Sequence, residues 1–114
     1  MLIIHYFRRR KEIALFYRNN LREDLCITPL YENNRESSYH FIPIFFKDRD
    51  KIYKKLTDNS IFPGMHYKRN DNFKIFKKYK KYSIGKLENV DFYEKHELTL
   101  PIHLHLTEIG RAHV

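Results

Sequence analysis

From Leu2 to Leu21 the chain runs without a glycine or a proline, and this stretch limits most what the rest can form. Ile3, Phe7, Ala14, Tyr17 and Leu21 recur at spacings of three, four and seven, while Arg8, Arg9, Lys11, Glu12 and Arg18 fill the other side. That periodicity predicts an amphipathic helix. One apolar helix face is not a fold, because it must be buried against another element. The segment Ser38 to Phe46, aromatic and β-branched, reads as a strand. Pro43 has no N–H for a ladder, so the strand is expected at an edge or with a bulge.

Shorter elements follow. Ile27-Thr28-Pro29 is an extended exit from the first helix, and Asn33 to Ser37 is a polar loop. Asp48 is a candidate N-cap for a helix through Ile52, Tyr53 and Leu56 that ends near Asn59. Ile61-Phe62 and Met65-His66-Tyr67 read as extended around Pro63-Gly64, and Phe73 to Tyr79 as a short helix. Leu87 to Glu97 reads as another helix with Leu87, Val90 and Phe92 or Tyr93 on its apolar side, and Leu98 to Ile102 as a closing strand. The order predicts an α+β fold with helices packed on a short sheet in one small domain. The length of 114 residues fits that, and nine Tyr with nine Phe supply a core. The single cysteine, Cys26, excludes an internal disulfide framework and suits a reducing compartment. No apolar run reaches the roughly 20 residues of a membrane span. The opening Met1 to Ile4 is too short for a signal-peptide core and precedes Arg8 to Lys11, the reverse of the secretory charge order. A cytoplasmic location is expected.

Twenty-two Lys and Arg against 14 Asp and Glu give a net charge of +8. Such a balance suits a polyanionic partner, although Lys, Asn, Ile, Phe and Tyr are also enriched together in AT-rich genomes. The tract Lys68, Arg69, Lys74, Lys77, Lys78, Lys80, Lys81 and Lys86, interleaved with Phe73, Phe76, Tyr79 and Tyr82, has the composition of a single-stranded nucleic-acid groove. The plainer reading is a surface helix with its aromatics toward the core and its lysines in water. His103 and His105 would share one strand face and form part of a metal site only if His66, His40 or Glu97 joined them. Surface histidines are the better reading, and no metal site is assigned. Ser37, Ser38, Ser60 and Ser83 lack a nucleophile elbow, Cys26 has no motif, and Gly64, Gly85 and Gly110 make no phosphate loop. Spacing alone discloses no reaction.

A resemblance does. Arg9-Arg10-Lys11-Glu12-Ile13-Ala14-Leu15-Phe16-Tyr17 with Leu21 follows the pattern R-R-x-x-I-A-x-x-Y-x-x-x-L. Ser38 to Ile44 looks like the strand that follows it, and Asp48-Arg49-Asp50 opens a helix ending in Leu56. Ile61-Phe62-Pro63-Gly64-Met65-His66-Tyr67 resembles a strand and loop closing in His-Tyr. Leu98-Thr99-Leu100-Pro101 through Leu106-Thr107 is similar to a terminal L-S-L-P-x-x-x-x-L-T signature. In this order the pieces resemble the carboxy-terminal small domain of the DegT/DnrJ/EryC1/StrS sugar aminotransferases, from Arg9 to Thr107.

The resemblance implies a fold type I, pyridoxal 5'-phosphate enzyme that aminates keto sugars carried on nucleotide diphosphates. Glutamate is the expected amino donor, the full-length enzyme is expected as a homodimer, and its products would serve surface polysaccharide or deoxyaminosugar synthesis. The run Met65 to Asp71 looks closest to members that handle GDP-linked deoxysugars. In the family the Schiff-base lysine and the other cofactor groups lie in the large amino-terminal domain, and no lysine here sits in the matching motif. The chain is therefore expected to hold no catalytic residue, bind no cofactor alone and be inactive alone. Whether the parent enzyme aminates or dehydrates depends on a residue upstream. His66 and Tyr67 match the family's pair at the mouth of the active site, and Lys68 and Arg69 follow as candidate phosphate contacts. These four are the candidate substrate-binding residues. Without the large domain, helix faces carrying Ile3, Phe7 and Tyr17 are expected to be partly exposed and prone to association. The rival reading is a free-standing basic module for single-stranded nucleic acid.

The last residues break the pattern. Glu108-Ile109-Gly110-Arg111-Ala112-His113-Val114 back-translates as GAG ATC GGA AGA GCA CAC GTC, which coincides with a common short-read sequencing adapter in one frame. The adapter's next codon is a stop. Residues 1–107 are thus read as the domain fragment and 108–114 as a non-native tail.

Overall fold

The computed structural model describes residues 2–83 and 85–106. The expected non-native tail at 108–114 lies outside them. The opening stretch forms helix α1 (Leu2–Asn20), followed by strands β1 (Cys26–Ile27) and β2 (Ile42–Phe46) and helix α2 (Arg49–Asp58). Short helix α3 (Lys74–Lys77) lies between 3-10 turns at Asn70–Asn72 and Lys80–Tyr82, and helix α4 (Glu88–His96) runs directly into strand β3 (Glu97–Leu100). The three strands form one antiparallel sheet in the order β1-β2-β3. The expected α+β arrangement, helices on a small sheet, is what forms.

The core is the seam between α1 and the sheet. Ile13, Ala14 and Tyr17 from α1 meet Ile42, Ile44 and Phe46 from β2 and Leu98 and Leu100 from β3, with Leu56 of α2 closing one end. Alternation along β2 puts Ile42, Ile44 and Phe46 on one face. Each fully buried aliphatic side chain contributes about 1.5–3 kcal/mol by leaving water. The Tyr17 hydroxyl donates to the Pro101 carbonyl at 2.7 Å, so the helix is pinned to the chain just beyond β3. The guanidinium of Arg10 reaches the His40 carbonyl at 2.8 Å. Tyr17, expected to be partly exposed, is buried, and Phe7 is partly covered by rings such as that of Tyr39. Only Ile3 of that trio is open, at 82% exposure.

Several boundaries depart from the sequence reading. The strand begins at Ile42 rather than Ser38 because Tyr39 takes a left-handed backbone, φ 53°, which no extended strand accommodates. Its ring still reaches the core, and its hydroxyl donates to Glu36 at 3.0 Å. Pro43 sits in the central strand of the sheet, not in an edge strand. It is tolerated because Thr99, its partner in β3, gives both backbone hydrogen bonds to Gly64 on the far side. Pro43 and Thr99 are therefore a non-hydrogen-bonded pair, and the proline nitrogen faces the flank where β1 covers only Phe45 and Phe46. Asp48 begins α2 as expected, but through its backbone, whose carbonyl accepts from Ile52 N–H at 3.0 Å, while its side chain caps nothing.

The segment 61–67 forms no strand and keeps only the bridge of Gly64 to Thr99. In α4 the expected apolar side stays open. Leu87, Val90 and Phe92 are 38–44% exposed, because α4 meets the sheet where Phe92 and Tyr93 pack on Phe45 and where the His96 ring lies 2.8 Å from the Phe46 carbonyl. The Phe73 to Tyr82 stretch is exposed throughout, so its aromatics do not face a core as the plainer reading had it. Among the described residues no helix is long and apolar enough to cross a membrane.

Candidate functional site

The loop after Pro63 is held on β3 by a small polar network. Gly64 exchanges two backbone hydrogen bonds with Thr99, at 2.9 and 2.7 Å. The His66 N–H then donates to Glu97 Oε2 at 3.0 Å, and His66 Nδ1 lies 2.9 Å from Thr99 Oγ1. Glu97 and Thr99, two apart on the strand, share its outer face. Both are nearly covered, at 2% and 6% exposure. Gly64 is needed where it stands, because a Cβ there would come within 2.6 Å of the His66 ring. The ring itself stacks on Phe41 at 5.4 Å and meets Tyr67 edge-on at 4.6 Å.

Beside this network lies a cleft of about 360 Å³ lined by Arg49, Met65, Tyr67, Lys68, Arg69, Asn72, Phe73, Tyr93, Glu94 and Glu97. Of the four residues singled out from the sequence, Tyr67, Lys68 and Arg69 reach it, whereas His66 points back to β3. Lys68 is exposed and has no ion pair among the described residues. Arg69 is different. Its guanidinium is paired with Asp71 at 2.7 Å, with Asp91, and with Glu94 at 3.6 Å. The hydrogen bonds to Asp71 and then Asp91 hold its pKa well above the ordinary arginine range, and Arg69 in turn holds Asp71 below the carboxylate range. A phosphate would have to displace carboxylates to reach Arg69, so the structure gives it a bracing role between the 69–72 turn and α4. Burial, and then the charge of Glu97, raises the pKa of Tyr93, whose ring forms another wall.

Sequence reasoning missed Arg49, whose guanidinium donates to the Glu97 carbonyl at 3.3 Å and lies 3.7 Å from Met65 Sδ. It also missed Thr99 as a partner of His66. The alternation of polar Glu97 and Thr99 with apolar Leu98 and Leu100 was the available signal. His103 and His105 stand exposed on a turn rather than on a strand face. No cluster of metal-ligating side chains forms among the described residues.

Pyridoxal phosphate requires a desolvated lysine, an acid at its ring nitrogen and donors to its phosphate. The described lysines are exposed apart from the half-covered Lys11, which pairs with Glu36 at 3.1 Å. The residues present do not fit the cofactor.

Solved structures place this arrangement among the fold type I sugar aminotransferases. The sugar aminotransferase CalS13 from Micromonospora echinospora superposes with a TM-score of 0.81 at 25% identity, over 95% of this chain and 28% of that one. Helicobacter pylori PseC, an aminotransferase involved in the biosynthesis of pseudoaminic acid, superposes with a TM-score of 0.75 at 21% identity, over 92% of this chain and 29% of that one. The sequence profile of the DegT/DnrJ/EryC1/StrS aminotransferase family matches residues 3–114, and the chain belongs to that family. It is 29% identical over 107 residues to a Campylobacter jejuni serotype O:2 protein named UDP-4-amino-4,6-dideoxy-N-acetyl-beta-L-altrosamine transaminase. That match covers 87% of this chain and 27% of the relative, so the chain spans about a quarter of the length of the proteins it matches.

Proposed function

We propose that this chain is the carboxy-terminal small domain of a cytoplasmic, homodimeric, pyridoxal-phosphate aminotransferase. Its substrate would be a nucleotide-diphosphate-linked keto sugar and its amino donor glutamate, in surface polysaccharide or deoxyaminosugar synthesis. The observation that carries the reading is the loop Met65 to Lys68, fastened to β3 by Gly64 and His66 and presenting Tyr67 and Lys68 on the rim of a cleft. In this reading Tyr67 offers a ring to a base or sugar face, and Lys68 meets diphosphate charge. Arg69 keeps the loop in place. The cofactor's chemistry and its lysine belong to a large domain preceding residue 1, and the chain alone transfers no amine. Residues 108–114 are read as foreign to the parent enzyme.

Reading the DNA upstream of Met1 tests the assignment. An in-frame large domain with the family's lysine motif is expected, and a promoter and ribosome-binding site directly at Met1 with no such frame would contradict it. The residue that decides between amination and dehydration would be read from the same upstream sequence. The full-length enzyme should then be offered GDP-linked and UDP-linked keto sugars side by side. The Met65 to Asp71 run resembles members using the first, whereas the Campylobacter relatives are named for the second. Titration of this chain alone with pyridoxal phosphate should give slow, unsaturable labelling. One saturable absorbance band, abolished by a single lysine substitution, would overturn that part.

A further inference from the structure

The cleft is lined by two guanidiniums, and they differ in what occupies them. Arg69 spends its donors on carboxylates, Nε and Nη2 on Asp71 at 2.8 and 2.7 Å and Nη1 on Asp91. Arg49 is held differently. Its Nη1 donates to the Glu97 backbone carbonyl at 3.3 Å and lies 3.7 Å from Met65 Sδ, a weak acceptor, so the group is moored to β3 without being neutralised there. Its one carboxylate partner, Asp50, meets Nε at 2.6 Å from a side chain that is 89% exposed. An ion pair so open to water is loosely held. No acceptor among the described residues bonds to Nη2. The Arg49 side chain is only 15% exposed, and a donor left unfilled so far from water is costly. The other carboxylates of the cleft are engaged elsewhere. Glu97 takes the His66 N–H and the Thr99 hydroxyl on its two oxygens, and Glu94 faces Arg69. Arg49 and Lys68 are thus the cations of the cleft left for a ligand.

We propose that Arg49, outside the 65–69 loop, is the anion-binding guanidinium of the cleft, receiving one phosphate of the substrate's diphosphate in place of Asp50, which occupies it in the free protein. The diphosphate rests on the function proposed above, whereas the choice of Arg49 over Arg69 as the anion receptor does not. A guanidinium fork bonds to two oxygens of one phosphate at once, and Lys68 brings a point charge to the other. Asp50 yields its place at little cost, because its carboxylate already stands in water. Arg69 cannot substitute, since its carboxylate partners hold every edge of its fork.

Titrating this chain with inorganic pyrophosphate while following the arginine Nε–H signals by ¹H–¹⁵N NMR tests the assignment, with Arg49→Lys and Arg69→Lys identifying the two resonances. The Arg49 signal should move and saturate while the Arg69 signal stays. Asp50→Asn, at a side chain exposed enough to leave folding intact, should tighten pyrophosphate binding about two- to fivefold, the worth of one surface ion pair. Asp58→Asn, on the same helix but outside the cleft lining, should not. Movement of the Arg69 signal instead, movement of neither, or equal tightening by the two substitutions overturns the proposal. In the full-length enzyme Arg49→Gln should raise KM for the nucleotide sugar roughly tenfold or more, the worth of a charged hydrogen bond, with KM for glutamate unchanged. A rise confined to glutamate, or no rise, overturns the diphosphate role. Failure of the underlying functional reading shows differently, as no turnover of any nucleotide-linked keto sugar while pyrophosphate still moves the Arg49 signal.

Discussion

Residues 42–46 and residues 73–82 draw on the same apolar vocabulary, phenylalanine and isoleucine in both, with opposite results. Ile42, Ile44 and Phe46 are at most 5% exposed, whereas Phe73, Ile75, Phe76, Tyr79 and Tyr82 stand 43–70% exposed. The difference is one of partners. Strand β2 alternates, so its inward residues line up on one face, and α1 supplies Ile13, Ala14 and Tyr17 against them. In the later segment lysines interrupt at nearly every step, the helix lasts four residues, and none of its residues is buried. Its rings turn to their own lysines instead, Lys78 over Tyr79 at 5.1 Å and Lys81 over Tyr82 at 5.2 Å. Aromatic content makes a core only where a second surface is ready to meet it.

The hardest way to break this contrast is to truncate the same residue type in both regions. Ile44→Ala should cost about 2–5 kcal/mol in urea unfolding. Ile75→Ala should stay within about 0.5 kcal/mol. Comparable losses at the two sites would mean that the 73–82 segment is packed after all.

Gly64→Ala probes the seam between the regions. A methyl within 2.6 Å of the His66 ring should cost about 1–3 kcal/mol through displacement of the loop. Combining it with His66→Ala should recover part of that loss, because the two residues share one space. Strict additivity would show that the clash is not what matters.

A smaller effect appears in acid. Arg69 lowers the folded-state pKa of Asp71, so Asp71 adds stability above its ordinary pKa of 3.8, and this is lost as pH falls through the lower folded value. Asp71→Asn should therefore be less stable than the parent chain at neutral pH, and the two should converge below pH 3.8. A gap that persists in strong acid would point to packing rather than charge.

The smallest effect concerns the basic tract. With its lysines simply solvated, binding to short single-stranded oligonucleotides should be weak and vanish by physiological salt. Submicromolar binding that survives salt and falls with Tyr79→Ala and Tyr82→Ala would favour a nucleic-acid module.

How much of this was legible in the sequence follows the same division. Helix α1 and the inward residues of β2 and β3 could be read because period and burial agree there. The start of β2 could not, since the left-handed backbone of Tyr39 leaves no compositional trace. Pro43 misled, because its tolerance depends on which way Thr99 points its hydrogen bonds, and that is a property of the sheet. In the site, His66 to Arg69 were found by resemblance and lie together in the fold. Their division into a fastened His66, a presented Tyr67 and Lys68 and a braced Arg69 depends on Glu97, Asp91 and Glu94, which are distant in sequence.

In the proposed function this loop serves the sugar side of an amine transfer. Steady-state kinetics of the full-length enzyme with Lys68→Ala and Tyr67→Ala test it most directly. Each variant should raise KM for the nucleotide sugar roughly tenfold, the scale of one lost charged or aromatic contact, and leave KM for glutamate unchanged. Parent-like sugar KM in both variants, or a change confined to glutamate, would contradict it.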